Sequence, residues 1–112
     1  LFLETNKDEA KIKDLFSMLV EVTENSGRIS ESLKWAIDYS QRLGKNDPEW
    51  PALRYRMAHI YKKMANTTQW RKILEELRQD SPTSLYGRLA ATELDTQVLE
   101  QRARQFVPTG QI

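Results

Sequence analysis

Three pairs of residues recur at one offset: Ala36 with Trp70, Leu43 with Leu77, and Pro48 with Pro82 each stand 34 positions apart. A single spacing shared by apolar helix positions and a proline is what stacked supersecondary units produce. Each unit buries its apolar face only against a neighbour, so the same residue types return at the same place in the next one. At 112 residues the chain is one small domain with room for a modest core.

The local pattern is helical throughout. From Lys7 to Asn25, residues Ile12, Leu15, Phe16, Leu19, Val20 and Val22 approach the i, i+3, i+4, i+7 spacing of one buried face. "NSGRIS" interrupts it, with Gly27 as the flexible point and Ser30 as the N-cap of a second helix reaching Leu43. In that helix Leu33, Ala36, Ile37 and Leu43 point inward. "GKNDPEWP" follows, with Gly44 where a terminating glycine belongs and Pro51 suited to a first helical turn. The third helix is read from Pro51 to Ala65 and the fourth from Thr68 to Gln79. In "DSPTS", Ser81 caps a fifth helix that begins at Pro82 and runs to about Phe106; "VPTGQI" is a tail. "LFLET" has the look of an extended arm. The expected fold is all-α, with about five helices in one domain over residues 1–112. Its first helix pair spans 7–43, its second 51–80, and a terminal or capping helix covers 82–106.

With Arg54-x2-Met57-Ala58-x2-Tyr61, then Trp70-x3-Leu74, then Pro82, the chain resembles the tetratricopeptide repeat, whose period and motif spacing it shares. The preceding unit supplies Ala36-x3-Ser40 and Pro48, and its first helix matches through Leu15, Phe16 and Leu19, with an insertion around "ENSGRISES". Leu89, Ala90, Ala91 and Leu94 resemble the start of a third unit. Trp70 stands where the family carries a small residue, and Arg54 and Ala58 replace an aromatic and a glycine. The resemblance implies helix hairpins stacked as a short right-handed solenoid. "LRQDSPTSLYGRLAATEL" resembles the junction in bacterial envelope-associated members, which favours the periplasm or cell envelope over the cytoplasm.

The net charge of +1 conceals an uneven distribution. Leu1 to Glu31 holds seven acids and four bases, whereas Trp50 to Leu74 holds no acid and six bases. On the third helix Tyr55, Arg56, His59, Lys62 and Lys63 share the stripe opposite the apolar one formed by Met57, Ile60, Tyr61 and Met64. The resemblance places that stripe on the concave groove, where members of the family contact peptides. Cations and a tyrosine in a concavity favour an anionic ligand through focused potential and charge-assisted hydrogen bonds. The competing reading makes them solvating charges whose partners lie on the fifth helix, Glu93 for example.

Trp35 and Trp70, at helical spacing among aliphatic residues, are expected to pack, each indole N–H needing a partner or an edge. Trp50 either staples the start of the third helix or stands exposed as a contact.

Catalysis finds little support. The single histidine, His59, has no cysteine partners, and no phosphate loop, metal motif or nucleophile set is present. Glu75, Glu76, Glu93 and Asp95 read as a solvated face. The sequence therefore favours a non-catalytic module without cofactor or small-molecule substrate, binding an acidic or carboxylate-bearing segment of a protein partner. Nucleic-acid binding through the same basic helix, with Tyr55 stacking, is the alternative; the balanced total charge argues against it. A purely structural segment packed on the rest of its own chain is a third reading. The initial Leu1 suggests a processed product or part of a longer chain, and an open apolar end suggests self-association. No apolar run approaches the ~20 residues of a membrane span.

Overall fold

The computed structural model describes the backbone of residues 2–106 and the side chains of residues 10–105. Five helices follow one another: α1 (Phe2–Asn25), α2 (Ile29–Leu43), α3 (Trp50–Lys63), α4 (Thr67–Asp80) and α5 (Leu85–Phe106). Among the described residues there is no strand. Neighbours in sequence are neighbours in space, α1 on α2, α2 on α3, α3 on α4 and α4 on α5, and α3 also meets α5. This is the packing of stacked helical hairpins.

The helix ends obey local chemistry, with three departures from the sequence reading. "LFLET" does not form an extended arm: α1 begins at Phe2, no glycine or proline interrupting the chain before Gly27. Ser30 is not the cap of α2. Arg28 occupies that position without a side-chain bond, and Ser32 turns inward to donate to the Val20 carbonyl of α1 at 3.0 Å. Ser81 ends α4 instead of opening α5, and Pro82 lies in the turn between them. Ser84 takes over the capping, its hydroxyl accepting from the Gly87 N–H at 3.0 Å. Asn66 caps α4 in the same manner, accepting from the Gln69 N–H.

The core runs through Val20, Ala36, Tyr39, Leu53, Met57, Ala58, Ile60, Trp70, Ile73, Leu74, Leu77, Ala90 and Leu94. Leu33, Ile37, Leu43 and Trp35 are half-buried against it, Trp35 edge-on to Phe16. Trp70 is fully packed. Its Nε1 has no hydrogen-bond partner among the described residues, and Lys62 Nζ sits 5.0 Å above its ring. Trp50 is half-buried at the start of α3, with the Arg54 guanidinium 5.5 Å from its ring centroid.

Four expected core positions, Ile12, Leu15, Val22 and Met64, lie outside. Among the described side chains of α1, Val20 is the one buried apolar residue, with Thr23 buried beside it and Phe16 and Leu19 half-buried, while Leu15 and Val22 are 56% and 50% exposed. A single helix pair covers one stripe of α1, and the rest of its apolar set faces away from α2. Met64 is likewise exposed, because α3 ends there. The tail beyond Phe106 lies outside the described residues. No helix among the described residues is long and apolar enough to cross a membrane.

Candidate groove on the first helices of the hairpins

The turns that reverse the chain after α1 and after α3 bring α1, α3 and α5 to one side, where side chains from all three meet. Ser17 and Glu24 of α1, Tyr55, Arg56 and His59 of α3, and Tyr86 of α5 line an open cavity of about 550 Å³. Tyr55 forms its floor at the α3–α5 junction, its ring centroid 4.6 Å from that of His59 and 5.5 Å from that of Tyr86. Burial, and then its interaction with the Glu93 carboxylate, push the Tyr55 phenol up to about 12. It is therefore a neutral hydrogen-bonding edge at ordinary pH.

Carboxylates stand among the cations, Glu24 and Glu93 beside the α3 stripe and Glu49 on the cavity lining, where it accepts from the Tyr39 hydroxyl at 2.6 Å, and this changes the electrostatics inferred from α3 alone. Glu24 Oε1 accepts from Arg56 Nε at 3.1 Å, and Glu24 Oε2 accepts from Lys63 Nζ at 2.6 Å. Its side chain is only 16% exposed. Burial pushes the Glu24 carboxyl up, but the hydrogen bonds from Lys63 and Arg56 outweigh it and hold the group below its ordinary value. On the other flank His59 Nε2 lies 3.1 Å from Glu93 Oε2. The solvating-charge reading named Glu93 for this role. Glu24 comes from the acidic first helix, which sequence had not connected to α3.

The five stripe residues thus divide. Tyr55, Arg56 and His59 line the groove, and Lys63 reaches its rim through Glu24. Lys62 turns instead toward α4, over Trp70. The Arg56 guanidinium is only partly occupied. Among the described residues its Nε alone is bonded to protein, and neither terminal nitrogen has a protein acceptor.

Sequence reasoning missed Glu24 and Tyr86. Glu93 had a usable signal: it stands 34 residues after His59, the repeat offset itself, so the two occupy the same place on successive first helices. Glu24 has none, lying 32 residues before Arg56 and 39 before Lys63, neither of them the repeat offset. Among the described residues no three His, Cys, Asp or Glu side chains converge in a way that could hold a metal ion.

The chain matches no protein-family model, no curated protein and no solved structure.

Proposed function

We propose that this chain is a non-catalytic protein-interaction module, and that the groove on α1, α3 and α5 takes a carboxylate-bearing segment of a partner protein. The observation that carries this reading is Arg56: a guanidinium on the groove wall whose terminal nitrogens have no protein acceptor among the described residues, in a cavity that Tyr55 and Tyr86 also line. A planar fork with free donors suits a carboxylate, which it holds with two parallel hydrogen bonds. The tyrosines add apolar contact area with little side-chain entropy to lose.

The neutralising carboxylates narrow the partner. Glu24 meets two cations and Glu93 meets His59, so the groove offers one oriented donor site, the Arg56 fork, instead of a broad positive field. Nucleic-acid binding requires many unneutralised cations, since its affinity follows the number of phosphates engaged. The geometry therefore favours the protein partner. A tetratricopeptide-like, right-handed course of the stack belongs to the same reading, supported by the 34-residue offset that relates α3 to α5 through Pro48 and Pro82. A bacterial envelope setting rests on the "DSPTS" junction.

The test is fluorescence anisotropy with three probes: a labelled glutamate-rich peptide with a free C-terminus, its amidated counterpart, and a random single-stranded oligonucleotide. The free-carboxylate peptide is expected to bind the tightest, and Arg56→Lys, which keeps the charge and loses the fork, to weaken it about tenfold or more. Preferential binding of the oligonucleotide with a steep salt dependence would overturn the reading.

A further inference from the structure

The helix α5 has apolar side chains on both of its sides. Gly87, Ala90 and Leu94 face α4 and the core, as expected of a helix packed on one neighbour. On the opposite side Leu85, Arg88, Thr92, Asp95, Leu99 and Arg102 follow one another at alternating spacings of three and four, and every one is exposed. Leu85 and Leu99 are 57% and 63% exposed. That spacing keeps the six side chains on one exposed stripe, apolar at Leu85 and Leu99 and charged between and beyond them.

The repeat offset gives the stripe its meaning. Arg88 stands 34 residues after Arg54, and Arg54 is the residue that ties α3 to its hairpin partner α4, by a 2.9 Å ion pair with Glu76. Thr92 likewise stands 34 residues after Ala58, which is fully buried. The arginine that α3 presents to α4 therefore recurs on α5 as Arg88, exposed and without an ion-pair partner among the described residues. Asp95 has no ion-pair partner among those residues either.

The geometry points to a second copy of this chain as the occupant, its α5 lying antiparallel on this one about a two-fold axis through Thr92. The seam is self-complementary in that arrangement. Leu85 and Leu99 lie seven residues to either side of Thr92, so each leucine meets its counterpart of the other kind in the second copy. Arg88 and Asp95 lie four residues before and three after Thr92, so each arginine meets an aspartate, twice per dimer. A two-fold contact requires this reciprocity, residue i touching j while j touches i. Thr92 crosses the axis without an unsatisfied group, since its hydroxyl already donates to the Arg88 carbonyl at 3.0 Å. From Leu85 to Leu99 the seam is ~21 Å long at 1.5 Å per residue, as long as the hairpin contacts within the chain. The antiparallel direction is also that of every hairpin in the fold.

A single helix pair falls at the low end of specific interfaces, below about 1,200 Å² in total, so dimer should accumulate between about 10 µM and 1 mM. Sedimentation equilibrium over that range tests it on five proteins, each first confirmed as fully helical by circular dichroism. The unmodified chain is expected to dimerise. Arg88→Glu alone and Asp95→Lys alone are each expected to weaken association at least tenfold, because each places like charges opposite one another twice. Arg88→Glu combined with Asp95→Lys is expected to restore it. A chain monomeric at 1 mM, or single reversals that leave association unchanged, would overturn the proposal. Dissociation by Met18→Glu instead would do the same, moving the contact to the exposed Leu15, Met18 and Val22 stripe of α1.

Discussion

The Glu24 carboxylate receives the Arg56 Nε–H at 3.1 Å, joining the last turn of the acidic helix α1 to the middle of the basic helix α3. Lys63 shares the same carboxylate at 2.6 Å, so two of the bases of the basic stretch meet the acidic first helix at one junction. The groove owes its wall to this junction, since Arg56 is held by its Nε while its terminal nitrogens have no protein acceptor among the described residues.

Removing the Glu24 charge should loosen that junction. Glu24→Gln leaves two cations with a neutral acceptor and is expected to cost about 1–3 kcal/mol, the range for hydrogen bonds to charged groups. Because the folded protein holds the Glu24 carboxyl below its ordinary value of 4.5, the stabilisation is complete above that value. It is lost as pH falls through the lower, folded value. Urea unfolding at pH 7 and at successively lower pH should therefore show the difference between wild type and Glu24→Gln closing below about pH 4.5. A constant difference across that window would remove Glu24 from the acid response.

Reversing both cations should destabilise the fold. On a solvated helix face, Arg56→Glu with Lys63→Glu is expected to change stability by no more than about 0.5 kcal/mol for each site. With Glu24 half-buried between them, the pair of reversals sets three carboxylates together, and about 2–4 kcal/mol is expected instead. Adding Glu24→Lys should recover part of the loss, which the denaturation midpoint will report. Binding studies on this groove are therefore better served by Arg56→Lys than by charge reversal.

Gly87 is required by space. A Cβ placed there would come within 1.8 Å of the Ser81 carbonyl oxygen and 2.7 Å of its carbon, both backbone atoms. Gly87→Ala must push the first turn of α5 away from the end of α4, which costs at least the ~1–3 kcal/mol of ordinary overpacking. Thermal unfolding should fall clearly, and amide exchange should quicken at Ser81 to Ala90 before it does in α2.

Ala65 sits between α3 and α4 at φ 61°, in the left-handed region that favours glycine. A non-glycine residue pays roughly 1–2 kcal/mol there, partly offset in glycine by the greater freedom of the unfolded chain. Ala65→Gly is expected to stabilise the protein by up to about 1 kcal/mol, read as a higher urea midpoint at unchanged slope. A loss of stability would mean that the alanine methyl contributes packing at the turn.

The existence of five helices, their breaks at Gly27, Gly44 and "DSPTS", and the 34-residue recurrence were legible in the sequence. These follow from short-range causes: apolar spacing, glycine freedom and the absence of a proline N–H act within a turn or two of chain. The same spacing set Tyr55, Arg56 and His59 on one stripe of α3, and the groove receives all three. Tertiary structure decided what each face meets. Leu15 and Val22 carry the helical period as faithfully as Val20, yet only Val20 is buried, because the one packed neighbour of α1 covers a single stripe. Lys62 and Lys63 are adjacent in sequence, but one turns over Trp70 and the other reaches Glu24. No local rule separates them, since Glu24 arrives from 39 residues away and only the way α1 lies beside α3 brings it there.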